Sequence, residues 1–104
     1  MTTHSPYRAI ADPTRRLILD ILREEGPQRA GDLARHFPKI SRPAVSKHVK
    51  VLKQSLLITL TSQGRERWYH LNPEPLAQVQ DWIQEYQLFW ENKLHQLKHI
   101  VEDD

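Results

Sequence analysis

The stretch "ISRPAVSKHVKVL", Ile40 to Leu52, decides how the rest of the chain is read. Ser41 is a good helix cap. Pro43, with its fixed backbone angle and missing amide donor, is tolerated only in a first turn, so a helix begins at about Arg42. At about 100° per residue, Val45, Val49 and Leu52 converge on one side of that helix. Pro43, Ser46, Lys47, Lys50 and Gln54 point the other way, flanked by Arg42 and Lys53. One face is suited to burial and the opposite one is cationic.

Upstream, "ADPTRRLILDILREEG" reads as a helix that Asp12 caps, Pro13 opens and Gly26 with Pro27 stops. Leu17, Ile18, Ile21 and Leu22 give it an apolar stripe. The segment "QRAGDLARHF" reads as a second, short helix with Ala30, Leu33, Ala34 and Phe37 on one side and Pro38 closing it. At about ten residues it is too short to stand alone and has to pack on its neighbours. Two short helices joined by a tight turn, the second amphipathic and cationic, match a helix-turn-helix whose second helix enters a DNA major groove.

Downstream, "LLITLTSQGRERWYHLN" changes to an alternating period with Gly64 at its middle, which predicts a β-hairpin. Arg65 and Arg67 sit at the tip and rising edge, within reach of a phosphate or minor groove beside the helix. The same arginines would also discourage edge-to-edge sheet association. The remainder, opened by Asn72 to Pro75, predicts a helix of about 28 residues, or roughly 40 Å at 1.5 Å per residue. Leu76, Val79, Ile83, Tyr86, Trp90, Leu94, Leu97 and Val101 follow three-and-four spacing along it, and Trp82, Phe89 and Ile100 widen the stripe. That length exceeds what a domain of this size can cover, and a second copy of the same helix buries the excess economically.

The chain has 104 residues and a mass of 12.3 kDa, enough for one modest core, and it contains no cysteine for disulfides, thiolate zinc or thiol catalysis. Neither an export signal nor an apolar run of the roughly 20 residues needed for a membrane span is evident, so a soluble, cytoplasmic protein is expected. Charge is unevenly divided: residues 1–72 hold 13 Lys/Arg against 6 Asp/Glu, and residues 73–104 hold 2 against 7. From Lys39 to Arg67 there are seven basic residues and one acidic, Glu66, a density suited to phosphates.

Taken in order, "ADPTRRLILDILREEG", "GDLARHF", "SRPAVSKHVKVL" and "GRERWYHLNPEPL" resemble the ArsR-type winged helix-turn-helix repressors of bacteria and archaea over nearly the whole chain. The resemblance implies a homodimer, built largely from terminal helices, that sets two recognition helices into successive major grooves of a partly palindromic operator. It implies a single winged helix-turn-helix domain over residues 1–104, mainly α with a small β-hairpin in the order α-α-α-α-β-β-α. The recognition helix is then about 41–54, the wing about 56–71 and the dimerisation helix about 75–102. Two departures stand out: the turn "PKI" is about one residue longer than the commonest family form, and "QSLLI" replaces an Ala-Gly-Leu exit from the recognition helix. The metal-binding cysteines of many members are missing from "GDLARHF", so thiolate metal sensing is not expected.

Ser41, Arg42, Pro43, Ser46, Lys47, His48, Lys50, Lys53, Arg65 and Arg67 are the expected DNA-binding residues. Arg42 is assigned to base reading, because a guanidinium bonds two acceptors on guanine at once; Lys50, Lys53, Arg65 and Arg67 are assigned to phosphates. Leu76, Val79, Ile83, Tyr86, Trp90, Leu94 and Leu97 are the expected dimer seam. His95 and His99, four apart with Glu91 or Glu102 a turn away, form an incomplete ligand set that does not follow the family spacing to Asp81, so no metal or other cofactor is expected. No effector site is evident. Ser46 and His48 face different directions and lack a third orienting group, which argues against catalysis. The alternative reading is a winged-helix protein-interaction module that docks a partner through the aromatic C-terminal helix.

Overall fold

A computed structural model describes residues 5–102, with the backbone alone for Val101 and Glu102. The elements run α1 (Pro6–Ile10), α2 (Pro13–Glu25), β1 (Gln28–Arg29), α3 (Ala30–Arg35), α4 (Arg42–Gln54), β2 (Ile58–Gln63), β3 (Glu66–Leu71) and α5 (Leu76–Glu102). This is a mainly helical winged helix-turn-helix with a small antiparallel sheet in the order β1-β3-β2.

Local chemistry accounts for most of the boundaries. Asp12 caps α2, its carboxylate accepting from the N–H groups of Thr14 at 2.8 Å and Arg15 at 3.2 Å, and Pro13 fills the first turn. Gly26 ends α2 at φ 80°, a conformation cheap only for glycine. Ser41 Oγ accepts from the Ala44 N–H at 3.2 Å to open α4 at Arg42. Gln63 pairs with Glu66 across a two-residue connection, and Gly64 takes its first central position at φ 63°.

Two expectations are corrected. Gln28 and Arg29 form a strand rather than a helical start, pairing with Tyr69 and Trp68, so the sheet has three strands. Helix α3 is correspondingly reduced to Ala30–Arg35, with Asp32 accepting from the Arg29 N–H at 3.3 Å to hold the corner. On α2, Leu19 rather than Leu17 joins the buried cluster, and Leu17 stays 48% exposed.

The core joins Ile18, Leu19, Ile21 and Leu22 of α2 to Leu33 of α3, Val45, Val49 and Leu52 of α4, and Leu57 and Ile58 at the start of the sheet. Asn72 ties the two ends of the wing together: its N–H donates to the Leu57 carbonyl at 2.8 Å and its side-chain amide to the Leu56 carbonyl at 2.7 Å. Beyond Val79, the last residue of α5 to be buried, the helix runs out with Trp82, Ile83, Tyr86, Phe89, Trp90, Leu94, Leu97 and Ile100 all exposed. The overall extents of 66 × 34 × 21 Å record that projection.

Candidate nucleic-acid interface

Helix α4 is seated by Val45, Val49 and Leu52, and this seating turns Arg42, Pro43, Ser46, Lys47, Lys50 and Lys53 outward to solvent. Arg65 lies in the exposed turn of the wing and Arg67 on β3 beside it, opposite Ser62. Among the described residues, no carboxylate lies within ion-pair distance of Arg42, Lys47, Lys50, Lys53, Arg65 or Arg67. Three arginines elsewhere contrast with them: Arg23 pairs with Asp20 and Glu24, Arg35 with Asp32, and Arg29 with both Asp32 and Glu66, while Arg15 and Arg16 bond the carbonyls of α1. Glu66, the one acid of the basic stretch, is therefore committed at 3.0 Å to Arg29, whose guanidinium also lies 5.4 Å from the Trp68 ring centroid. The field over α4 and the wing tip is left uncompensated, an arrangement that attracts a polyanion.

His48 differs from its neighbours on α4. Its ring is half-buried against α2, with Nδ1 3.2 Å from Arg15 Nη1 and 4.0 Å from Asp12 Oδ1. The structure thus places His48 at the joint between two helices, away from the outward ridge. Arg15, which sequence reasoning passed over, organises that joint. It donates through Nε to the Ala9 carbonyl at 2.7 Å and through Nη2 to the Arg8 carbonyl at 3.1 Å, so one side chain joins α1, α2 and α4. Burial pushes the Asp12 pKa up, but the Arg15 and Thr14 N–H groups, with the charges of His48 and Arg15, outweigh it and hold the carboxyl below its ordinary value. At the base of α5, the Tyr7 hydroxyl donates to the Gln78 carbonyl at 3.0 Å and the Tyr7 ring meets Trp82 edge-on at 6.0 Å.

Leu76 and Val79 of the expected seam are covered by the chain's own core, whereas Ile83, Tyr86, Trp90, Leu94 and Leu97 lie open. The His95 and His99 rings stack 6.4 Å apart on the projecting part of α5. The Glu102 side chain lies outside the described residues, within which no three metal-ligating side chains gather.

The winged arrangement and its uncompensated helix define a class of nucleic-acid-binding regulator, and comparison with known proteins makes the class specific. Residues 10–61 match the family described as a helix-turn-helix domain. The chain is 43% identical over 77 residues to the transcriptional repressor SdpR of Bacillus subtilis, covering 74% of this chain and 83% of that protein. It is 38% identical over 98 residues to the HTH-type transcriptional regulator Rv2034 of Mycobacterium tuberculosis, covering 94% and 87%. The solved structure of an ArsR-like transcriptional regulator from Rhodococcus sp. RHA1 superposes with a TM-score of 0.71 at 30% identity, covering 94% of this chain and 88% of that one. The chain belongs to the ArsR-type family of winged helix-turn-helix, DNA-binding regulators of transcription.

Proposed function

We propose that the protein is a cytoplasmic homodimeric repressor, with no enzymatic role, that closes a partly palindromic operator by placing two copies of α4 in successive major grooves. The observation that carries this reading is the ridge of Arg42, Lys47, Lys50 and Lys53, which has no carboxylate partner among the described residues. A helix of that width fits a groove about 12 Å across. Arg42 and Ser46, at the N-terminal end of α4, contact base edges; Lys47 touches base or phosphate; Lys50, Lys53, Arg65 and Arg67 hold phosphates. Residues 1–104 act as one domain, and the open face of α5 from Trp82 to Ile100 meets the same face of a second copy. That no described helix is long and apolar enough to cross a membrane accords with this reading.

The test is selection of bound fragments from a random duplex pool, followed by affinity for selected and scrambled DNA at several salt concentrations. The selected fragments should carry two related half-sites about 34–36 Å apart centre to centre. Affinity should fall linearly on logarithmic axes, with a slope of about −0.9 per phosphate neutralised. Equal affinity for scrambled duplex, or binding indifferent to salt, would reject the reading and favour a protein-docking module.

A further inference from the structure

Beside the reading helix lies a recess of about 440 Å³ whose composition is not what a phosphate backbone needs. Its accessible apolar surface comes from Ala30 and Ala34 of α3 and Tyr69 of β3, set over Leu33, Val45 and Val49, which the core already covers. Along its rim stand Arg42, Lys50 and Lys53, with the Ser46 hydroxyl between them and no acidic side chain in the lining. Phosphate is a fully hydrated anion and gains nothing from an apolar wall, while a purely apolar ligand gains nothing from three cations that have no carboxylate partner among the described residues. A ligand that uses both has an apolar body and one anionic end. The volume falls in the range of roughly 300–1,000 Å³ typical of small-molecule sites.

We infer that this recess binds a flat aromatic carboxylate, its ring against Ala34 and Tyr69 and its carboxylate over Ser46, between Arg42 and Lys50. Arg42 offers a planar fork that matches a carboxylate in two hydrogen bonds, and Lys50 and Lys53 supply further charge. Because Arg42, Ser46 and Lys50 also belong to the ridge assigned to DNA, the ligand and the operator exclude each other. The consequence for regulation rests on the function proposed above: the aromatic acid is an inducer that releases DNA. The site itself does not rest on it.

The experiment uses the full chain and 2-naphthoate as probe, with 2-naphthalenemethanol and inorganic phosphate as controls. Binding is followed first without DNA, by amide chemical shifts. Naphthoate should perturb Ala34, Val49 and Tyr69 in a saturable way, and both controls should bind at least about tenfold more weakly. Lys50→Gln should weaken naphthoate several-fold with unchanged thermal unfolding, and Ala34→Leu should abolish binding by filling the recess. If Ala34→Leu fails to fold, Ser46→Phe, projecting from the exposed side, replaces it with the same expectation. Naphthoate shifts elsewhere on the protein, or equal binding of phosphate, overturn the site. In a second arm, saturating naphthoate should raise the apparent Kd for selected DNA at least about tenfold. Binding in the recess with no effect on DNA affinity overturns competition while leaving the site, and failure to select any DNA sequence overturns the repressor reading alone.

Discussion

Leu56 is held at φ 62°, in the left-handed region, at the exit of α4. The turn there is a left-handed cap: the Leu57 N–H donates to the Leu52 carbonyl at 2.9 Å and the Leu56 N–H to the Lys53 carbonyl at 3.0 Å. For an L-residue with a Cβ this conformation costs about 1–2 kcal/mol, and the Leu56 side chain, 51% exposed, recovers about 1 kcal/mol of that through its half-burial. Leu56→Gly should therefore change stability by no more than about 0.5 kcal/mol, the relief of strain being offset by the lost half-burial and by the greater freedom of glycine in the unfolded chain. A stability in denaturant lowered by more than about 1 kcal/mol would mean that this leucine holds a contact its exposure does not suggest. At the other end of α4, Arg42→Ala should relax preference at one base position by about 1–3 kcal/mol, whereas Lys50→Ala should weaken operator and random duplex alike and flatten the salt slope by about 1. Equal losses on both DNAs for Arg42→Ala would remove it from base reading. The caps Asp12 and Ser41 were legible in the sequence because each acts on amides two or three residues away. Arg15 was not, because its partner His48 lies 33 residues along the chain and is reached only once α2 and α4 have packed.

At the scale of elements, the corner between α1, α2 and α4 concentrates more polar contacts than the rest of the core boundary. Asp12→Ala removes a helix cap and should cost about 1 kcal/mol, read as a lowered midpoint in denaturant. The pH dependence follows from the direction of its shift. The folded carboxyl has a depressed pKa, so the contribution is complete above the unfolded value of 3.8 and is lost as pH falls through the lower folded value. Asp32, lowered chiefly by its hydrogen bond from Arg29, acts in the same direction. Acid titration of the melting temperature should thus show a loss below pH 3.8 that is smaller in Asp12→Ala; an identical acid limb in the variant would remove Asp12 from the account. The helices were readable because capping and periodicity agree over 13 residues in both α2 and α4. Strand β1 was not, since a two-residue strand carries no alternation and exists because β3 offers it an edge. The recess was equally silent, being made where α3, α4 and β3 meet.

For the whole molecule, the radius of gyration of 18.5 Å against about 13 Å for a compact chain of 100 residues says that the helix α5 is only partly used by its own protomer. Its projecting face carries Phe89, Trp90, Leu94 and Leu97, each more than half exposed, a contiguous apolar surface that a lone soluble chain rarely leaves bare. At roughly 25 cal/mol per Å² of apolar area, covering one Trp and two Leu from each of two protomers contributes several kcal/mol, and a two-fold axis lets one sequence supply both sides. The double substitution Trp90→Glu with Leu94→Glu places two carboxylates at the centre of that contact while leaving α1 to β3 untouched. It should yield a monomer by sedimentation at micromolar concentration, with thermal unfolding no longer dependent on protein concentration. DNA affinity should fall by at least about 100-fold and lose its sensitivity to half-site spacing, because each reading helix then binds without the effective concentration its partner supplied. A variant that stays dimeric places the contact elsewhere, and one that becomes monomeric yet keeps both affinity and spacing preference removes the dimer from the mechanism of recognition.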